Sequence, residues 1–130
     1  MISPRKTLLN VSCVIIYNKM SKILTEISAG ELLDKISILE IKMNEIKDKN
    51  LLLEVKKEFD ILNNKKKKNI SFSKEIEILY KDLKTNNKEV WDLIDEYRSC
   101  IKNSEFGEKF SKLAKDIYMG NEKRFKIKSK

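Results

Sequence analysis

The sequence predicts an all-α protein, an elongated antiparallel bundle of about four helices. Three glycines and one proline in 130 residues are too few for a turn-rich β fold. Apolar residues recur at steps of three and four along most of the chain, which is the spacing of one helix face. A chain of this length, 41% apolar, has room for a single modest core. We therefore expect one helical domain.

Composition removes several classes of chemistry. The chain has no histidine, so hydrolase triads of the histidine type are excluded and the commonest metal ligand is missing. Its two cysteines, Cys13 and Cys100, support neither a zinc site nor a disulfide framework. We expect no metal, no cofactor and a reducing cytoplasmic location.

The net charge of +8 raises the question of nucleic-acid binding. Only three of the basic residues are arginines, Arg5, Arg98 and Arg124, although arginine is the residue that phosphate and base edges favour. The many lysines, with much Ile and Asn, match an AT-rich coding bias. Nonspecific nucleic-acid binding is kept as a second alternative that rests on charge alone.

Residues 1–19 pair a basic start with a short apolar stretch from Leu8 to Tyr17. The stretch is too short to span a bilayer and lacks a small-residue cleavage site after it. A signal segment, a packing extension and a misassigned start all remain open, and Met20 is the favoured start. Residues 20–130 are predicted to form the single helical domain.

The first helix is predicted to begin at Ser28, because Ser28 to Glu31 matches the S-x-x-E capping box. Ile38 and Ile41 lie nearly opposite its main apolar face, so we expect this helix to contact neighbours on two sides. The main face carries Leu32, Leu33, Ile36, Leu39, Met43 and Ile46.

After a break near Asp48 to Asn50, a second helical pattern is predicted to end at Asn63 and Asn64. A loop is predicted from Asn63 to Ser73, with Lys65 to Lys68 at its centre.

Ser73 is the predicted N-cap of a third helix that runs to about residue 102 and is roughly 45 Å long. Its length suggests an elongated hairpin or a coiled-coil homodimer. Its heptad seam is Ile76, Tyr80, Leu83, Asn87, Val90, Ile94, Tyr97 and Ile101.

A last helix is predicted from Ser104, with Gly107 and Gly120 as soft points and a basic tail that either extends the helix or frays. One apolar stripe runs along it, carrying Phe106, Phe110, Leu113, Ile117 and Arg124.

Three segments carry a resemblance to a known family: GELLDKISILEIK from Gly30, NNKEVWDLIDEYR from Asn86, and FGEKFSKLAKDIYMGNEKR from Phe106. From about Met20 to Lys130 the chain resembles small helical bacterial and phage proteins of unknown function, domain-of-unknown-function family 6165. The resemblance implies a helical fold, a start near Met20 and a C terminus shorter than in other members. It implies no activity, cofactor or catalytic residue, and only a contextual link to surface-polysaccharide biosynthesis.

The first candidate constellation lies in the opening helix, where Glu31 and Lys35 can pair along the helix. Asp34 or Glu40 would face a basic ligand or an arginine of a partner helix. The structural interpretation is that all four residues only stabilise the helix.

The second candidate is the stripe of Asn87, Trp91, Asp95 and Arg98, in which Arg98 would hold an anionic group and Trp91 would stack on a ring. Alternatively, Asp95 and Arg98 form an intrahelical pair and Asn87 fixes helix register.

The third candidate is the set Tyr118, Asn121, Lys123 and Arg124, where Gly120 would end the helix or let a ligand approach the backbone. The alternative is a frayed basic terminus.

The function that these observations favour is a cytosolic helical-bundle module that binds a protein partner or a ligand and forms a homo-oligomer. The first alternative is a small helical enzyme acting on an anionic metabolite, with Arg98, Arg124 and Lys35 as the clamp and Asp95 or Glu40 as acid or base. We expect no membrane-spanning helix.

Overall fold

Four helices and no strands make up residues 23–130, the part of the chain that the computed structural model describes. They are α1 (Ala29–Glu45), α2 (Lys49–Asn69), α3 (Lys74–Lys102) and α4 (Glu108–Lys128). The predicted all-α class is confirmed. The predictions for residues 1–19 and for a start at Met20 lie outside the described residues.

The central element is α1, which packs against α2 and also against the pair of helices α3 and α4. Contact on two sides requires apolar residues on both edges, and Ile38 and Ile41 are buried as expected. A core cluster of Leu33, Leu83 and Ile127 joins α1 to α3 and α4. The helix is the most buried of the four because it lies between its neighbours.

Three helix starts carry polar caps, two of them at the serines that the sequence predicts. The Ser28 side chain accepts from the Glu31 N–H at 3.1 Å, and the Ser73 side chain accepts from the Ile76 N–H at 3.2 Å. Asp48 caps α2 by accepting from the N–H groups of Asn50 and Leu51. Each cap satisfies N–H groups that have no partner within the helix.

The predicted loop from Asn63 to Ser73 is wrong over most of its length, since α2 continues to Asn69. Lysine is a good helix former, and lysines in a last turn interact favourably with the negative end of the helix dipole. The Asn69 side chain also donates to the Lys65 carbonyl at 2.9 Å. The loop is therefore only the short segment around Phe72.

The predicted start of the last helix at Ser104 is also wrong, because α4 begins at Glu108. Ser104 has φ 56°, and two hydrogen bonds close the turn there: Glu105 N–H to Cys100 C=O, and Ser104 N–H to Ile101 C=O. This pattern is a Schellman motif that ends α3. The serine that looked like an N-cap thus belongs to the C-terminal end of the preceding helix.

The helices α3 and α4 form an antiparallel hairpin. Near the turn Tyr97 stacks on Phe110 with ring centroids 4.6 Å apart, and further along Asn86 contacts Gly120. The centre of the predicted seam of α3 is buried, whereas Ile101 is 40% exposed and Cys100 is buried in its place. Polar contacts from α1 to α3 fall between Tyr80 and Lys88, so α1 crosses the first half of α3.

Candidate functional site

Asp34 of α1 is the centre of a buried polar cluster. Its side chain is 1% exposed, yet it carries a carboxylate that must find partners if it is to remain ionised. Arg124 of α4 supplies them as a two-pronged donor: Nε lies 3.0 Å from both carboxylate oxygens, and Nη2 lies 2.7 Å from Oδ2. The planar guanidinium matches the planar carboxylate, and the pair connects α1 to α4.

Asn87 connects the same cluster to α3. Its Nδ2 donates to Asp34 Oδ1 at 2.9 Å and to Ser37 Oγ at 2.8 Å, while Ser37 Oγ donates to the Asp34 carbonyl at 2.8 Å. Both side chains are buried. The polar residue of the predicted seam is therefore bonded to a specific acid on another helix.

Lys128 adds a second cation at the edge of the cluster. Its Nζ lies 3.4 Å from Asp34 Oδ2 and 2.9 Å from Glu31 Oε1. The pairing of Glu31 with Lys35 that the spacing suggested is thus replaced by a contact between α1 and the end of α4. There Gly30 lies so close to the Lys128 carbonyl that a Cβ atom would be 2.0 Å from the oxygen.

Burial and charge act against each other on Asp34. Burial raises the pKa of this carboxyl, but hydrogen bonds from Arg124 and Asn87 and the charges of Arg124 and Lys128 outweigh it, so the pKa lies below its usual value. A carboxylate held ionised in this way is a poor proton donor or acceptor near neutral pH. The geometry of the Asp34 cluster is that of a structural contact joining α1, α3 and α4.

A smaller polar cluster lies around Glu40. Tyr80 O–H donates to one carboxylate oxygen, and Lys84 Nζ lies 2.5 Å from the other. Burial raises the pKa of Glu40, while the bonds from Lys84 and Tyr80 lower it and set the net direction below the usual value. Burial and the adjacent carboxylate raise the pKa of Tyr80. Lys66, from the helical lysine run, lies 5.4 Å from the Tyr80 ring centroid.

The stripe from Asn87 to Arg98 does not form one site. Asn87 bonds to the Asp34 cluster, Trp91 is 8% exposed and buried in the bundle, and Arg98 Nη1 lies 3.4 Å from Asp95 Oδ1 within the same helix. Arg98 is eleven residues, about 16 Å along the helix, from Asn87 and the level of Arg124. The predicted convergence of Arg98 and Arg124 on one cleft is therefore not present.

The third predicted set is divided between two faces of α4. Arg124 faces inward to Asp34, whereas Tyr118, Asn121 and Lys123 are exposed. Gly120 does not end the helix, which continues to Lys128. A Cβ atom at Gly120 would lie 2.5 Å from Val90 Cγ2, so the missing side chain lets α3 and α4 approach each other.

The backbone at Gly120 also bonds to α3, since Asn86 Nδ2 donates to the Gly120 carbonyl at 2.9 Å. An open groove of about 620 Å³ lies beside this contact and includes Glu89, Tyr118 and Lys123 in its walls. Arg98 and Arg124 do not line it. Lys35 is half-buried on α1 and belongs to neither the groove nor the Asp34 cluster.

Sequence reasoning did not single out Ser37, Lys128 or the buried Lys42. For two of them the available signal was position along α1. Ser37 follows Asp34 by three residues, and Lys42 lies on the same edge of the helix as Ile38. Lys128 gave no such signal because its partners are far away in the chain.

Exposed residues of α4 form a second feature, which we call the α4 stripe. Its members follow steps of three and four and none of them is charged, although 37% of the chain is charged. Tyr118 and Phe125 are 65% and 62% exposed. The stripe consists of Ser111, Ala114, Tyr118, Asn121 and Phe125, all exposed.

The residues that the structure describes hold neither a metal-binding cluster nor a membrane-spanning helix. No group of three or more acidic or cysteine side chains there could hold a metal ion. No helix between residues 23 and 130 has the length and apolar content needed to cross a bilayer.

A comparison with protein families matches residues 23–130 to a model described as a family of unknown function, DUF6165. No curated protein and no solved structure matches the chain.

Proposed function

We propose that this chain, which belongs to the family of unknown function DUF6165, is a helical protein-interaction module. Its proposed binding surface is the α4 stripe. The observation that carries the proposal is the exposure of Tyr118 and Phe125 on one uncharged face. Aromatic residues are enriched in protein interfaces and charged residues are depleted from interface centres. The charged residues of α4 all lie outside this row of five positions.

The Asp34 cluster supports a scaffold function more than a catalytic one. Two of the donor nitrogens of Arg124 are occupied by Asp34, and Arg98 lies far from them. The anion clamp that a small helical enzyme would need is therefore not assembled from the arginines of residues 23–130. The cluster instead fixes α4 against α1 and α3, which makes the outer face of α4 a rigid surface.

Rigidity contributes directly to binding. A helix face that is already held in place loses little conformational freedom when a partner docks, so more of the contact energy appears as affinity. The contextual link to surface-polysaccharide biosynthesis stays an expectation from the family resemblance, and the cytoplasmic location stays a prediction from the composition.

Photo-cross-linking in cells tests the proposed function. A photoreactive amino acid at position 118 should give protein adducts, whereas the same group at position 53, where Leu53 is 59% exposed on α2, should give few. Substituting Phe125→Ser should reduce the adducts from position 118. Equal yields of adducts from the two positions would contradict the proposal.

A further inference from the structure

The partner that best fits the α4 stripe is a second copy of the stripe. This inference rests on the proposed function and identifies its partner. The five residues follow steps of three, four, three and four, which is the a/d spacing of a coiled-coil seam. A seam of this kind on an exposed helix has one face, so its simplest closed assembly is a two-fold dimer.

Side-chain size favours antiparallel helices. In an antiparallel pair each a position faces a d position, so Phe125 of one copy lies opposite Ala114 of the other, and Tyr118 lies opposite Asn121. A large side chain then meets a small one, and the phenol meets an amide that can hydrogen-bond it. Parallel helices would instead place Phe125 against Phe125 and leave Ala114 against Ala114.

Charge at the edge of the seam favours the same arrangement. Lys115 and Glu122 flank the stripe on one side, and both are exposed. Within residues 23–130 neither takes part in an ion pair. Antiparallel packing brings Lys115 of one copy to within about two residues, or roughly 3 Å along the axis, of Glu122 of the other. The two-fold axis creates this pair twice.

We propose that the chain forms an antiparallel dimer through α4, with the stripe as the seam and two Lys115–Glu122 pairs between copies. In this register the paired part of the seam runs from Ala114 to Phe125 and is about 16 Å long. The buried surface is therefore small and falls in the range of weak, reversible complexes. We expect association that depends on concentration, with a dissociation constant in the micromolar range.

Charge reversal with sedimentation velocity tests the pairs. Lys115→Glu and Glu122→Lys should each weaken dimerisation at least five-fold, because each places like charges opposite each other twice. The double variant Lys115→Glu/Glu122→Lys should restore most of the affinity. Lys112→Glu is the matched control, since Lys112 pairs with Asp116 inside one copy at 2.5 Å, and it should leave dimerisation unchanged.

Zero-length cross-linking tests the register. Mixed light and ¹⁵N-labelled chains treated with a carbodiimide should give a Lys115–Glu122 peptide that carries one label of each kind. A chain that stays monomeric up to about 1 mM, or a dimer in which the double reversal gives no recovery, would overturn the inference. If position 118 nevertheless captures a different protein, the proposed function stands and only the partner is wrong. If it captures nothing, both fail.

Discussion

At Asp34 a single side chain holds three helices together. Moving a carboxylate out of water costs several kcal/mol, and only close, well-aligned donors offset that cost. Arg124 and Asn87 are such donors, because each binds the carboxylate within 3.0 Å. The cluster therefore specifies which face of α4 turns inward, and it leaves Tyr118 and Phe125 outside.

Removing one member of the cluster should cost far more than removing a surface ion pair. Arg124→Met leaves Asp34 with Lys128, whose Nζ lies 3.4 Å from Oδ2, as its only cation near the carboxylate. We expect a loss of about 3 kcal/mol in unfolding free energy. Asp34→Asn should cost a similar amount, while the double variant should cost less than the sum of the two. Asp116→Asn, in an exposed pair, should cost less than about 0.5 kcal/mol.

Urea unfolding of the four variants measures these differences. A coupling energy between Asp34 and Arg124 below about 0.5 kcal/mol would show that the cluster adds little to the fold.

At the scale of the elements, the ends and crossings of the helices depend on small residues. Gly120 lets Val90 approach α4, and Gly30 lets the Lys128 carbonyl approach the start of α1. At Gly107, by contrast, a Cβ atom would have no neighbour within 4 Å, and this residue precedes α4 in extended backbone. Three glycines in one chain thus meet different demands, and only two of them are required by close packing.

Substitution of Gly30 and of Gly107 by serine separates these demands. Gly30→Ser should destabilise the fold by about 2–3 kcal/mol, because the new Cβ meets a backbone oxygen that cannot move without shifting α4. Gly107→Ser should be neutral or slightly stabilising, since serine is a good N-cap. Thermal unfolding followed by circular dichroism measures both, and equal melting temperatures would contradict the close approach at Gly30.

For the whole molecule, stability should depend on pH through buried carboxylates. The folded-state pKa of Asp34 lies below its usual value, so the folded state binds fewer protons than the unfolded state as pH falls. The stabilisation is complete above the unfolded pKa of about 3.9 and is lost as pH falls through the folded pKa. Glu40 acts in the same direction. With no histidine, stability should be nearly constant from about pH 6 to 8.

Urea unfolding at pH 7, 5, 4 and 3 checks this dependence. We expect the unfolding free energy to fall below about pH 5, and to fall less in Asp34→Asn than in the wild type. An equally steep fall in that variant would assign the acid sensitivity to other carboxyls, and Glu40→Gln is the next comparison.

The candidate site was predictable only in part. Asp34, Asn87 and Arg124 were all singled out, and the alternative of Asp34 facing an arginine of a partner helix describes what is found. Their convergence was not predictable, because Asn87 and Arg124 lie 53 and 90 residues from Asp34 along the chain. Periodicity assigns residues to helix faces but does not say which faces meet. The grouping of Arg98 with Arg124 was wrong for the same reason.

What the sequence determined by itself is local: the helical class, the caps at Ser28 and Ser73, and the two apolar edges of α1. These follow from hydrogen-bonding groups and spacings within a few residues. Tertiary structure alone decided that Arg124 turns inward and that the α4 stripe stays exposed. Those outcomes depend on which helices lie next to each other, and that is set by the burial of α1 between its neighbours.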